Sequence, residues 1–315
     1  VRLVRPGESV LLAPYRADGH PDHEAAARAA AAAAWRTDAG LMEYPVWLWH
    51  WDGPDALPWA RARRIDLTPE ARERKARAVV GHRSQVEPLS DRPGDEVLLR
   101  PDMLAHFARP WETVLVAEPG DGDPFDELHA REEDPWDVRT SWYERRKRAL
   151  TLAVLPHERY AVGLEVGCSV GALAEDLLGR CDAVVAVDGS VAALERVAGA
   201  EGLRTAHASL PEDWARLEEE LGDGPVELAV LSEVGYFLSP RRLAELADRV
   251  GALVAETETA TVLACHWRHE IVGWPLTGDQ VHAIVGDRLA AHGLERRSHL
   301  VEEDVVLTVW AVPDR

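Results

Sequence analysis

The chain has 315 residues, 46% of them hydrophobic, which is enough for two domains of ordinary size with a core each. Its 35 basic against 55 acidic residues leave a net charge of -20, which repels phosphate backbones and anionic lipid, so neither nucleic acid nor a membrane surface is expected as a partner. The three cysteines (Cys168, Cys181, Cys265) form no CxxC pair, no apolar run reaches the roughly 18 residues of a membrane helix, and no signal peptide is seen, so a soluble cytoplasmic protein is expected.

In the first part of the chain, SVLLAPY (9–15) predicts a strand and HEAAARAAAAAAW (23–35) a helix. YPVWLWHW (44–51) predicts a second strand with Trp47, Trp49 and Trp51 on one face, either packing or offering a sugar-stacking surface; PEARERKARAVVGHRSQV (69–86) predicts another helix. His20-Pro21-Asp22-His23 fits a helix start, with Pro in the first turn and Asp22 and Glu24 at the positive end of the dipole. Two imidazoles beside carboxylates also fit part of a metal site, short of the three protein ligands that catalytic zinc needs. Residues 118–137 hold nine acids, three prolines and two glycines with little apolar periodicity and read as a linker, which places domains at 1–117 and 134–315 with an acidic connection at 118–133.

The second part alternates more regularly: AVGLEVG, GALAEDLLGR, AVVAVD, SVAALERVAGA, then strands near 204–208, 226–231 and 260–266. Strands spaced by helices imply an α/β domain with a parallel sheet. A strand ending in Glu165-Val166-Gly167 is followed by Cys168-Ser169-Val170-Gly171 and a helix, and the next strand ends in Asp188. Glycine lets a ligand approach the backbone and an acid at that strand end can take both ribose hydroxyls, so the pattern predicts nucleoside binding, although it is not a GxGxxG loop. Glu233 and His266, with Arg268 and His269, follow later strands, where open α/β sheets bind ligands; each also has a plain structural reading as a cap or a satisfied core group.

These residues resemble the class I methyltransferases that use S-adenosylmethionine, and among them the nodulation protein S type of N-methyltransferase, through DPWDVRTSWYERRKRALTLAVLP (134–156), GLEVGCSVG, LSEVGYFLS (231–239) and ACHWRHEIVGWPLTGDQVH (264–282). The resemblance implies a Rossmann-like domain, with helices on both faces of a parallel sheet whose last strand is antiparallel. It implies S-adenosylmethionine held by the loop Glu165, Gly167, Cys168, Ser169 and Gly171, with Asp188 on the ribose and Trp142 and Tyr143 closing over it. Where the family often has an acid after the third strand, this chain has Ala208 and Ser209, so backbone contacts there and Leu210 against the adenine are expected. Methyl transfer is an in-line displacement that needs alignment and a deprotonated nucleophile, for which Glu233, Tyr236 and His266 are the candidates.

The first part is similar to the rear half of a PIG-L (LmbE-type) zinc deacetylase, through APYRADGHPDHEAAARAAAAAA, LMEYPVWLWHW and ERKARAVVGHRSQVEPL. That resemblance implies a catalytic role for His20, a zinc ligand in His23 and support from Asp22. The front motif of that family is absent and residue 1 is Val, so a partial α/β domain is expected, with zinc bound only if the missing half is supplied. Truncation would leave SVLLAPY as an unpaired edge with an exposed apolar face, loose or covered by self-association. Together these point to an N-methyltransferase for an amine-bearing, amino-sugar-type small molecule. A fragment of a bifunctional deacetylase/methyltransferase, or a non-catalytic binding module in the first part, are the other readings.

Overall fold

The computed structural model describes residues 9–51, 56–117, 124–222, 224–269, 271, 274 and 276–313. They form two compact units, one built on 9–34 and 39–117 and the other on 124–313. All three cysteines are free and buried.

The N-terminal unit runs β1 (Val10–Pro14), α1 (Pro21–Thr37), β2 (Gly40–Tyr44), α2 (Leu48–Trp51), β3 (Ala62–Asp66), α3 (Pro69–Gly81), α4 (Arg83–Val86), α5 (Pro101–Phe107) and β4 (Trp111–Val116). The sheet order is β1-β2-β4-β3, with β1 and β2 parallel and the other two pairs antiparallel, so the sheet of this unit is mixed. The alanine run lets α1 lie close on the sheet, with Ala31 and Ala34 packed on Ala13 and Leu41. β1 is an edge strand and leaves Val10 and Leu12 exposed.

The predicted strand 44–51 is not one. β2 ends at Tyr44, Pro45 supplies no N–H to a ladder, and the buried Asp18 carboxylate accepts the N–H groups of Val46, Trp47 and Leu48, fixing the start of a helical turn. Trp47 and Trp51 therefore stack with ring centroids 5.9 Å apart, instead of lining a strand face. The predicted helix 69–86 is interrupted at His82, between α3 and α4.

The C-terminal unit runs α6 (Pro124–Arg131), α7 (Trp142–Ala153), β5 (Tyr160–Val166), α8 (Ala172–Leu177), β6 (Cys181–Asp188), α9 (Val191–Leu194), β7 (Leu203–His207), α10 (Trp214–Leu221), β8 (Leu228–Ser232), α11 (Pro240–Val254), β9 (Thr261–Trp267), α12 (Gly278–Ala291), β10 (Glu295–Val301) and β11 (Val305–Ala311). Its sheet order is β10-β11-β9-β8-β5-β6-β7. β5 pairs in parallel with β6 and β8, as do β6 with β7 and β8 with β9, while β11 is antiparallel to both its neighbours. This is the α/β architecture expected. Side chains alternate across the sheet: Ala229 and Leu231 of β8 join one core with Leu217, Leu243 and Val285 from α10, α11 and α12, while Leu228 and Val230 join a second with Leu173 and Leu177 of α8. Helices thus cover both faces and leave the carboxyl ends of the parallel strands to build a site.

The acidic stretch is not linker throughout. Residues 118–123 lie outside the described ones, but Pro124 opens α6, whose Phe125, Leu128 and His129 recur at helical spacing and turn inward.

Candidate active site

β5 delivers the chain into a loop that only its glycines permit. Gly167 has φ of +73° and a Cβ there would lie 2.7 Å from Val234; Gly171 has φ of +78° and a Cβ would lie 2.8 Å from Val197. The N–H groups of Gly167 and Cys168 both donate to the Val187 carbonyl, which hangs the loop on the end of β6. Ser169 takes a left-handed φ of +50°, which turns its N–H onto Asp188 Oδ2 at 2.8 Å, while Ser190 N donates to Oδ1 at 2.9 Å. Burial pushes the Asp188 carboxyl up, against the pull of these two N–H groups. A carboxylate has about four acceptor positions, so two N–H donors leave room for a pair of hydroxyls.

α6 closes this loop from outside, and sequence reasoning missed it. His129 donates from Nδ1 to the Phe125 carbonyl at 2.8 Å, which leaves Nε2 as the acceptor for the Ser169 hydroxyl at 2.9 Å. Asp126 accepts from the Ser190 hydroxyl at 2.9 Å. One helix therefore ties down both serines whose N–H groups hold Asp188. The only signal in the sequence was the spacing of Phe125, Leu128 and His129 inside the acidic run.

A cavity of about 660 Å³ opens at the strand ends. That lies within the roughly 300–1,000 Å³ of small-molecule sites. Glu165, Gly167, Cys168, Ser169, Asp188, Ala208, Ser209 and Leu210 all line it, as do Tyr143, Glu233 and Tyr236. Gly171 and Trp142 are not among the residues lining the cavity, and Trp142 is 68% exposed beside Arg146. The adenine-side expectation also changes. Ala208 N already donates to the Asp188 carbonyl and Ser209 N to Asp213, whose own N–H donates to the Ser209 carbonyl, which leaves the Ala208 carbonyl and the Ser209 hydroxyl to meet a ligand.

The cavity fits a nucleoside cofactor by one further observation. Glu165 is 3% exposed, yet among the described residues its Oε2 has no hydrogen-bond partner, and burial beside Asp188 pushes its carboxyl well up. A buried carboxyl oxygen left without a partner in a cavity wall is a place for a ligand's polar group to bond.

Glu233, with φ of +57°, is held at both oxygens. Its Oε1 accepts from Lys147 Nζ at 2.8 Å, and its Oε2 accepts from Trp267 N at 3.1 Å and from the Tyr236 hydroxyl. Burial and the Glu233 charge push the Tyr236 phenol well up, so it stays protonated and donates. Lys147 and Glu144, which line the same cavity, were not singled out from sequence; nothing in a mid-helix lysine marks it as buried.

His266 is not placed to serve as a base. It is fully buried and away from the cavity lining, and its Nε2 accepts from Gly235 N at 3.0 Å. Its Nδ1 then donates to His282 Nε2 at 3.1 Å, and His282 Nδ1 donates to Thr308 at 2.7 Å. Burial pushes the His266 ring down to about 3, so it is neutral with its lone pair committed. Arg268 donates to Asp279 and to the Glu302 carbonyl, and His269 meets Asp304 at 2.8 Å; both have local partners.

In the N-terminal unit His23 Nδ1 meets the buried Asp18 carboxylate at 2.6 Å, and His20 lies beside it with ring centroids 4.7 Å apart. Asp22 N donates to His20 at 3.2 Å, inside the helix start. Among the described residues no group of three or more His, Cys, Asp or Glu could hold a metal ion. One imidazole with its carboxylate falls short of three zinc ligands, so no step runs through zinc here.

Residues 125–259 match the family model of Nodulation protein S (NodS). A candidate methyltransferase from Pseudomonas syringae is 39% identical, over 54% of this chain and 99% of that one, with a TM-score of 0.45. The N-methyltransferase NodS of Bradyrhizobium japonicum WM9, solved in complex with S-adenosyl-l-homocysteine, is 18% identical over 61% of this chain and 100% of that one, with a TM-score of 0.50, a likeness of fold. No curated protein matches the chain. In its C-terminal part this chain is an S-adenosylmethionine-dependent methyltransferase, similar over residues 125–259 to NodS.

Proposed function

We propose that the C-terminal unit methylates the nitrogen of an amine-bearing small molecule of amino-sugar type. The observation that carries this reading is a single cavity with the half-free Asp188 carboxylate at one end and a charged wall of Lys147, Glu144 and Glu233 at the other. Asp188 would take the ribose hydroxyls, the Gly167–Gly171 loop and Glu165 the methionine part, and Leu210, with the Ala208 carbonyl and the Ser209 hydroxyl, the adenine. Tyr143 would cover the reacting centre. S-adenosylmethionine supplies a methyl group on a positively charged sulfur; the protein's share is alignment and exclusion of water. With its oxygens already held, Glu233 shapes the wall with Tyr236 and does not remove a proton.

The test is a calorimetric titration with S-adenosylhomocysteine, repeated on Asp188→Ala. Charged hydrogen bonds of about 1.5–3 kcal/mol predict an affinity loss of about ten- to a hundredfold. A folded chain that binds no S-adenosylhomocysteine would end this reading.

We read the N-terminal unit as a deacetylase-like remnant that does not hydrolyse amides by itself. What supports this is the Asp18–His23 pair, an imidazole with its orienting carboxylate, which among the described residues has no further ligands grouped with it. Deacetylation of N-acetylglucosamine by the purified chain with added zinc would refute it.

A further inference from the structure

The charged wall of the cavity is not balanced. Lys147 is 4% exposed and donates to Glu144 Oε1 and Glu233 Oε1, each at 2.8 Å. Burial opposes its charge, but Glu233 and Glu144 more than offset that and raise its pKa, so it remains an ammonium and cannot act as a base. Glu233 is held at both oxygens, by Lys147, Tyr236 and Trp267 N. Glu144 is not: among the described residues its second oxygen receives no hydrogen bond, although the side chain is only 15% exposed. Beside it on the first turn of α7, Tyr143 has a buried hydroxyl without a partner among the described residues. Two carboxylates against one ammonium leave one net negative charge, and the oxygen open to a ligand belongs to Glu144.

We propose, resting on the methyltransferase reading, that Glu144 receives the methyl acceptor and that the acceptor is a neutral amine. As the nitrogen–methyl bond forms, the methyl–sulfur bond breaks and its electron pair returns to sulfur. The cofactor loses its positive charge and the nitrogen gains one. An amine N–H donated to Glu144 Oε2 fixes the nitrogen while leaving its lone pair for the methyl group. That contact strengthens as positive charge builds, which is the condition for acceleration and not merely for binding. The product ammonium sheds its proton to solvent on release. A phenolate or carboxylate acceptor would instead bring an anion against a wall that is already negative. The Tyr143 hydroxyl, kept protonated by burial and by Glu233, supplies the second polar contact.

The test measures methyl transfer from labelled S-adenosylmethionine to glucosamine and benzylamine, beside glucose and benzyl alcohol. The amines are the expected acceptors. Glu144→Gln should lower kcat/KM about a hundredfold, as for loss of one group aimed at developing charge, with S-adenosylhomocysteine affinity unchanged and Glu144→Asp recovering part of the rate. Preference for the hydroxyl compounds, or a Glu144→Gln variant at the wild-type rate, would overturn the proposal. So would amines that neither react with the protein nor bind it when it is loaded with S-adenosylhomocysteine. Absence of S-adenosylhomocysteine binding by the unaltered chain would remove the methyltransferase reading instead, so the two failures are distinct.

Discussion

His266 and His282 spend their ring nitrogens inside the protein, and that has a pH consequence. Burial holds the His266 ring down to about 3 from its ordinary 6.5, and His282 is lowered for the same reason. In the unfolded chain both take up a proton near 6.5, while in the fold they stay neutral, so the unfolded state binds more protons between those limits. Stability is therefore full above about pH 6.5 and falls as the pH drops toward about 3. Denaturant midpoints at pH 7.5 and 5.5, a range above most carboxylate titration, should show the loss, and His282→Gln should flatten it. An unchanged midpoint would mean that the pair ionises freely in the fold. The sequence could place a histidine at the end of a buried strand but not say where its lone pair goes. That depends on Gly235 and Thr308, which are far away along the chain, and this is why a base was legible where the structure has a strut. Glu144 and Lys147 escaped notice for the converse reason: their chemistry arises from burial, which a charged helix face does not announce.

At the scale of elements, what could be read in advance was what depends on neighbours in sequence. The loop from Gly167 to Gly171 needs positive φ at both ends, and the hydrophobic runs of β5, β6, β8 and β9 are long enough to be buried on both faces, so strand, turn and acid were all visible. What depends on distant partners was not. YPVWLWHW alternates like a strand, yet Pro45 and the Asp18 carboxylate, nearly thirty residues back, turn it into a helix start. β3 and β4 pair across the whole span of α3, α4 and α5, and ARRID carries too few apolar residues to look like a strand at all. α6 was hidden by its own acidity: its capping of the Ser169 and Ser190 side chains is carried by one histidine and one aspartate among many charges.

Across the whole molecule, the described residues include no helix long and apolar enough to cross a membrane, and each of the two units has buried clusters of its own. The three thiols all lie in the C-terminal unit, at different depths of its construction: Cys168 in the glycine loop, Cys181 at the start of β6, Cys265 in the middle of the sheet on β9. Burial pushes Cys168 well up, Cys181 up to about 11 and Cys265 up to about 12, so the folded protein offers an alkylating reagent little thiolate, and of the three only Cys168 lines the cavity. Each cysteine thus works as a clock that runs only while its own surroundings are open. Mass spectrometry of the alkylated peptides should find Cys168 marked first and Cys265 last, and S-adenosylhomocysteine should slow Cys168 more than Cys265. Equal rates at all three positions would mean that the loop never opens apart from the sheet, and that a ligand the size of a nucleotide must wait for the whole unit to breathe before it can enter.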